Sequence, residues 1–149
     1  MKRKNWLKKI LIAGFVLLLM GAGAIWYIFS EKHEDTAGVK PDYVTEAIPF
    51  IKEFEKDIKG ANKKYAEKII EVTGVVTESE AADTTINIKM TDTVTGSYLI
   101  FAFQQQHLQE AKKLKAGDKA TIKGSCSDGI FSEILGTYFI SFKRSTLLK

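Results

Sequence analysis

The chain has 149 residues, of which 27% are charged and 45% hydrophobic, and its formal net charge is +4. Five of its 22 basic residues precede residue 10, so the remainder holds 17 basic and 18 acidic residues and is close to neutral. A near-neutral remainder argues against general nucleic-acid binding, because that binding depends on the counterions that many positive charges release. The single cysteine, Cys126, excludes an intramolecular disulfide.

Residues 10–29 form an uncharged apolar stretch, which as a helix is long enough to cross the roughly 30 Å hydrocarbon core of a bilayer. The basic tail at residues 1–9 precedes it and acidic residues follow it. This asymmetry predicts a single pass of the membrane, with the N-terminus in the cytoplasm and the C-terminal domain outside. A cleaved signal peptide is the alternative, because Ala22-Gly23-Ala24 fits a signal peptidase site. Trp26 and Tyr27 favour the uncleaved anchor, since they lie where aromatic residues meet the headgroups.

Residues 30–42 are polar and lack apolar periodicity, which predicts a flexible linker with His33 in solvent. A helical segment is predicted for residues 43–66, because apolar residues recur there at steps of three and four. Pro49 is best tolerated in a first turn, so the regular helix is expected to begin near Ile48, and Gly60 marks its end. The apolar positions are Val44, Ala47, Ile48, Ile51, Phe54 and Ile58.

From residue 67 to residue 149 the apolar period changes to two, which predicts strands. Three strands are predicted first, then a short helix at Gln104–Leu114, and then two more strands separated by a turn at Ser127-Asp128-Gly129. This order is that of an OB-fold, a five-stranded Greek-key barrel with a helix between strands 3 and 4. The fold class is therefore mainly β with helices. The five predicted strands are Ile70–Thr77, Ile86–Thr91, Tyr98–Phe103, Ala120–Cys126 and Ile134–Phe142.

One set of residues in the second part of the chain follows a known family pattern: Ala61, Lys64, Tyr65, Lys68, Val72-Thr73-Gly74-Val75-Val76, Leu114, Gly117-Asp118, Ile122-Lys123-Gly124, Cys126 and Gly129. Through these residues the sequence from Ile48 to Phe142 resembles the tRNA-anti-like family of bacterial membrane-anchored or exported OB-fold proteins, and the localisation predicted above is then the bacterial cytoplasmic membrane. The resemblance implies an OB barrel preceded by a helix and implies no established substrate. Family members often have a second cysteine in the last strand, whereas this chain has aromatic and aliphatic residues there, so a barrel disulfide is not carried over.

The residues capable of chemistry all have simpler structural explanations. Cys126 lies in the inward phase of its strand and is predicted to be a buried small apolar residue. His107 has no second ligand at metal-binding spacing and is predicted to be a surface or capping residue. The acids at positions 83, 92 and 128 lie in predicted turns, where carboxylates cap backbone amides. The sequence therefore predicts no enzyme, no cofactor and no metal site.

The outward face of predicted strands 2 and 3 is the usual ligand surface of an OB-fold. Here it offers Asn87, Lys89, Thr91 and Tyr98 as the candidate binding face. One aromatic residue and one lysine are few for single-stranded nucleic acid, which requires stacked aromatics between basic residues. A binding or assembly module with a protein, peptide or glycan partner outside the membrane is therefore predicted. A single-stranded nucleic-acid-binding OB domain is the alternative.

Overall fold

The computed structural model describes residues 2–30 and 35–148, and the chain forms two compact units. The first unit is helix α1 (Lys2–Ser30). Within it, Asn5–Phe29 has a mean hydropathy of 2.2 and no part of it is buried. That length and composition are sufficient to cross a membrane, and a signal sequence meets the same criterion. His33, predicted to be solvated, lies outside the described residues.

The second unit combines seven strands with short helices. Strand β1 (Tyr43–Glu46) leads into helices α2 (Ala47–Lys56) and α3 (Ile58–Tyr65). Strands β2 (Ile69–Val75), β3 (Glu78–Ala81), β4 (Ile86–Thr91) and β5 (Tyr98–Phe103) follow. A 3-10 turn (Gln105–His107) and helix α4 (Leu108–Ala111) then connect to the long strands β6 (Lys119–Ser132) and β7 (Thr137–Leu147).

The strands form one sheet in the order β1-β2-β6-β7-β5-β4-β3. The pairs β1 with β2 and β5 with β7 are parallel, and the other neighbours are antiparallel. The predicted five-stranded closed barrel is therefore not confirmed, because the sheet has seven strands. Two extra strands account for the difference: β1 precedes the five predicted strands, and β3 follows directly after the first of them, which corresponds to β2.

The boundary between β2 and β3 falls at Val76 and Thr77, at the end of the first predicted strand, where the chain changes its pairing partner. The Val76 amide donates to the Asp118 carbonyl at 2.8 Å, beside β6. The next amide, from Thr77, donates to the Lys89 carbonyl at 2.8 Å, in β4. Successive backbone amides of a strand point to opposite edges, so one short segment serves both neighbours.

Strand β1 occupies the start of the segment that was predicted to be helical. Pro49 explains the boundary, because its ring would collide with the carbonyl of Thr45 if the helix began a turn earlier. The helix instead begins at Ala47, with Pro49 in its first turn, within a residue of the predicted start. The preceding residues are extended and pair with β2, in a register that begins at Tyr43↔Ile70.

The last two strands form a longer hairpin than the sequence predicts. Asp128 and Gly129 pair with Ser141 and Ile140 inside the hairpin, so the predicted turn there is wrong, and the chain reverses between Ser132 and Thr137. Gly129 is required by packing, because a Cβ at this position would overlap the Phe54 ring. The glycine therefore allows the hairpin to pass directly beneath helix α2.

The core lies between helix α2 and the face of the sheet that this helix covers. Phe50 and Phe54 enter it from the helix, and their rings are 5.1 Å apart. Tyr65 packs against both rings, and its hydroxyl donates to Glu53 Oε2 at 2.7 Å. The other large side chains that are fully buried are Ile51, Ile70, Ile86, Ile88, Met90, Leu99, Phe101, Ile122, Ile140 and Phe142.

The described part of the predicted linker packs on the sheet as a docked segment, residues 35–39. Thr36 is 1% exposed, and residues Thr36–Gly38 form a 3-10 turn. The buried Lys123 Nζ donates to the carbonyls of Ala37 and Val39 at 3.0 and 2.7 Å. This half of the linker is therefore part of the folded domain and is not a flexible tether.

Candidate functional site

The four residues of the predicted candidate binding face lie next to one another on β4 and β5. Lys89 is paired with Ile100 and Thr91 with Tyr98, while Asn87 lies further along β4. All four side chains are half-buried, and the alternate residues of both strands are buried in the core. The alternation in the sequence thus gives the correct phase for this face.

Lys89 is engaged by two carboxylates of strand β3. Its Nζ lies 2.6 Å from Glu80 Oε1 and 3.2 Å from Glu78 Oε2. The hydrogen bond to Glu80 raises the pKa of Lys89, and the same bond lowers the pKa of Glu80. The positive charge of Lys89 is therefore neutralised by carboxylates of the same protein. It should attract a phosphate group only weakly.

A second aromatic residue, Phe139 of β7, completes the face. Its ring is stacked on Tyr98 with centroids 5.9 Å apart and an interplanar angle of 17°. Lys89 Nζ lies 5.5 Å from the Tyr98 centroid on the same surface. Sequence reasoning missed Phe139, because the parallel register that places it beside Tyr98 joins strands far apart in the chain. The only local indication in the sequence was the alternation of side chains along β7, which places Phe139 on the face opposite the core.

The β6–β7 hairpin extends this surface with exposed apolar side chains. Ile130 is paired with Phe139 and is 43% exposed. At the end of the hairpin, Ile134 is 96% exposed and Leu135 is 64% exposed. Exposed apolar residues in a group favour a protein-binding surface over an ordinary solvated one.

A separate cleft of about 390 Å³ lies between the start of helix α2 and the ends of strands β2 and β4. Four threonines and several aliphatic residues line it, and none of the described residues that line it is aromatic. The lining includes one acidic and one basic side chain, Glu46 and Lys119. Nothing in the sequence predicts the cleft, because its walls come from segments that meet only in the folded domain.

The cysteine and the histidine that were considered for chemistry are both engaged in the folded domain, one by burial and the other by a hydrogen bond. Cys126 is 1% exposed, and burial raises the pKa of its thiol to about 12, as predicted for a core residue. His107 Nε2 lies 2.8 Å from Asp35 Oδ1, and this hydrogen bond lowers the pKa of Asp35. His107 thus helps to hold the docked segment. Among residues 2–30 and 35–148, no three His, Cys, Asp or Glu side chains are grouped closely enough to hold a metal ion.

The strand arrangement, with a helix between β5 and β6, is that of a small OB-type β domain, and solved structures share it. A Klebsiella pneumoniae protein described as a "putative nucleic acid-binding lipoprotein" aligns with a TM-score of 0.57 at 19% identity, covering 80% of this chain and 100% of that one. The sequence matches the tRNA_anti-like family over residues 1–134. The chain therefore belongs to the tRNA_anti-like family, as the resemblance in the sequence predicted.

Two further solved structures align with shorter parts of the chain. Asparaginyl-tRNA synthetase from Pyrococcus horikoshii aligns with a TM-score of 0.40 at 15% identity, covering 58% of this chain and 21% of that one. An OBody bound to hen egg-white lysozyme aligns with a TM-score of 0.45 at 14% identity, covering 58% and 86%. No curated protein matches the sequence.

Proposed function

We propose that the protein is a membrane-anchored binding or assembly module, whose OB-type domain lies outside the bacterial cytoplasmic membrane and catalyses no reaction. The helix Asn5–Phe29 supports the anchor by its length and mean hydropathy. The basic residues before it and the acidic residues after it support the orientation. The partner is proposed to be a protein, peptide or glycan.

The observation that carries this proposal is the internal neutralisation of the candidate binding face. Lys89, the only lysine among its four residues, already pairs with Glu78 and Glu80. A phosphate backbone would have to displace these carboxylates and would approach two negative charges. The exposed apolar side chains of the neighbouring hairpin, by contrast, favour contact with another protein.

A crosslinking experiment on the full chain in its native membrane tests this proposal. A photoreactive amino acid placed at Ile130 should trap a discrete partner, whereas the same amino acid at Lys52 on helix α2 serves as the control. We expect a defined crosslinked band for the hairpin position alone. Equal crosslinking from both positions, or none from the hairpin, would refute binding by this surface.

Single-stranded nucleic acid is the second candidate ligand, and the stacked pair Tyr98 and Phe139 favours it. The Klebsiella pneumoniae structure, whose name proposes nucleic-acid binding, adds to this candidate. Salt distinguishes this candidate from protein binding by apolar contact, because the affinity for nucleic acid should fall steeply as the salt concentration rises.

Titration of the full chain in detergent micelles with a fluorescent dT oligonucleotide separates the two functions. We expect a dissociation constant weaker than about 10 μM at physiological salt, which corresponds to about 7 kcal/mol of binding free energy at most. Submicromolar, salt-sensitive binding that is lost in Tyr98→Ala or Lys89→Ala would establish the nucleic-acid function instead. Glu80→Gln is the matched variant, because freeing Lys89 should then strengthen binding.

A further inference from the structure

The cleft beside helix α2 contains a strand edge to which none of the described strands is paired. The pairing of β1 with β2 ends at Glu46↔Thr73, because the chain turns into the helix at Ala47. The pairing with β4 begins at Thr77, whose amide donates to the Lys89 carbonyl. Within the described residues, Val75 therefore pairs with a strand only on the opposite edge, where it faces Lys119.

The backbone of Val75 is turned toward this cleft. The neighbouring amide of Val76 donates to Asp118 on the β6 side. Because the amide and carbonyl groups of successive strand residues alternate between edges, those of Val75 point to the other edge, as the amide of Thr77 does. Val75 is also 52% exposed. One donor and one acceptor of the main chain are thus presented inside a cleft.

The threonine and aliphatic side chains around this edge favour a ligand that has amide groups and no net charge. The hydroxyl of Thr77 donates to the Lys89 carbonyl at 3.1 Å and lies 2.8 Å from that of Thr91, which leaves acceptor lone pairs on Thr91. The walls are aliphatic and include Ile48, Pro49 and Met90. These surfaces fit small apolar side chains and amide groups.

Other ligand classes fit this cleft poorly. A nucleobase or a sugar ring would lack an aromatic side chain on which to stack, since none lines the cleft. A phosphate would meet Glu46 as well as Lys119. The volume of about 390 Å³ lies in the range of small ligand sites and is suited to a few residues of extended chain.

We infer that this cleft binds a short, extended peptide segment of a partner protein, which adds to the free edge of β2 at Val75 by main-chain hydrogen bonds. Such β-strand addition derives affinity from the backbone and specificity from alternate side chains. The inference rests on the proposed binding function and names its partner class. The cleft shares Thr91 with the candidate binding face but lies at the other end of β4 from Asn87.

Two substitutions at Val75 distinguish backbone recognition from side-chain contact. Val75→Pro removes the amide donor while leaving the β6 ladder intact, because that ladder does not use this amide. Val75→Ala removes most of the side chain and keeps the amide. If the proline variant fails to fold, Thr93→Trp at the exposed lining of the cleft blocks the site without altering the backbone.

The test uses a phage-displayed library of random seven-residue peptides panned against the full chain in nanodiscs. We expect enriched peptides that bind the wild type and Val75→Ala equally and bind Val75→Pro and Thr93→Trp at least tenfold more weakly. N-methylation of the amides in a selected peptide should give a similar loss. Failure to enrich any peptide, or equal binding by the N-methylated form, would overturn the inference.

The panning also separates this inference from the proposed function. Peptides that lose binding in Tyr98→Ala but keep it in Val75→Pro and Thr93→Trp would place recognition on the candidate binding face. That result would overturn the cleft as the peptide site and leave the binding-module function standing.

Discussion

At the scale of single residues, burial decides what the reactive groups can do. Cys126 is enclosed by the core, and burial raises the pKa of its thiol, which favours the neutral, unreactive form. Lys89 remains charged, and its ammonium group forms ion pairs with Glu78 and Glu80. Cysteine and lysine are often functional residues. Here the burial of Cys126 and the ion pairs of Lys89 are consistent with a structural role for each.

Replacement of Cys126 should change stability through packing alone. We expect Cys126→Ala to lower the free energy of unfolding by about 1 kcal/mol, because the sulfur leaves only a small cavity. Denaturant unfolding of the domain from Asp35 onward measures this change. Cys126→Ser is the matched variant and should cost more, since it buries a hydroxyl. Rapid labelling of the native thiol would contradict the buried placement.

The same thiol gives a stability that depends on pH. Because burial raises the folded pKa from 9.0 to about 12, the unfolded chain releases its proton first as the pH rises. The stability due to the neutral thiol is therefore complete below pH 9.0 and is lost between pH 9.0 and about 12. We expect the stability of the wild type relative to Cys126→Ala to be lower at pH 10.5 than at pH 8. An unchanged difference would mean that the thiol is solvated.

Gly74 tests the contact between strand β2 and helix α2. A Cβ at Gly74 would lie 2.7 Å from the Ala47 Cβ and 2.8 Å from the Met90 Sδ, whereas one at Gly38 would meet nothing within 4 Å. Gly74→Val should therefore cost about 1–3 kcal/mol of unfolding free energy. The same change at Gly38 should stay within about 0.5 kcal/mol. Equal effects in thermal and denaturant unfolding would contradict this packing.

At the scale of elements, the docked segment determines where the folded domain begins. Lys123 lies in β6 and holds two carbonyls of this segment, and His107 holds Asp35. Both contacts join residues far apart in sequence. A fragment that begins at Tyr43 would lose them and expose the outer face of β6, so soluble fragments should begin at Asp35.

Removal of the Lys123 ammonium group should release the docked segment. We expect Lys123→Met to lower the free energy of unfolding by about 1–3 kcal/mol, because two buried hydrogen bonds to a charged donor are lost. Amide hydrogen exchange at Gly38 and Val39 should become faster at the same time, since their 3-10 hydrogen bonds would open. Lys119→Met at an exposed position is the control. Unchanged exchange in Lys123→Met would show that the segment is held by other contacts.

At the scale of the whole molecule, the charge of +4 follows from the N-terminal tail. The part of the chain after the apolar helix is close to neutral, which is consistent with a partner recognised by shape and apolar contact rather than by net charge. The proposed topology places this neutral part outside the membrane and the basic tail inside.

Protease treatment of intact spheroplasts tests this topology. We expect added protease to remove the domain after Ser30 while a tag at the N-terminal lysines stays protected, because the positive flank should remain in the cytoplasm. Lysed spheroplasts provide the control in which both parts are digested. Protection of the domain would reverse the topology. A mature N-terminus at Ile25 would replace the anchor by a cleaved signal peptide.

The sequence by itself determined the apolar helix, the start of α2, the phase of the candidate binding face, the buried state of Cys126 and the family. These features depend on local periodicity, on the geometry of Pro49 or on motifs, all of which act within short segments. Tertiary structure alone decided the added strand β3, the pairing of β1, the Tyr98–Phe139 stack, the docked segment and the cleft at Val75. Each of these features joins residues that are distant in the chain. Local side-chain patterns do not specify which distant segments will come into contact.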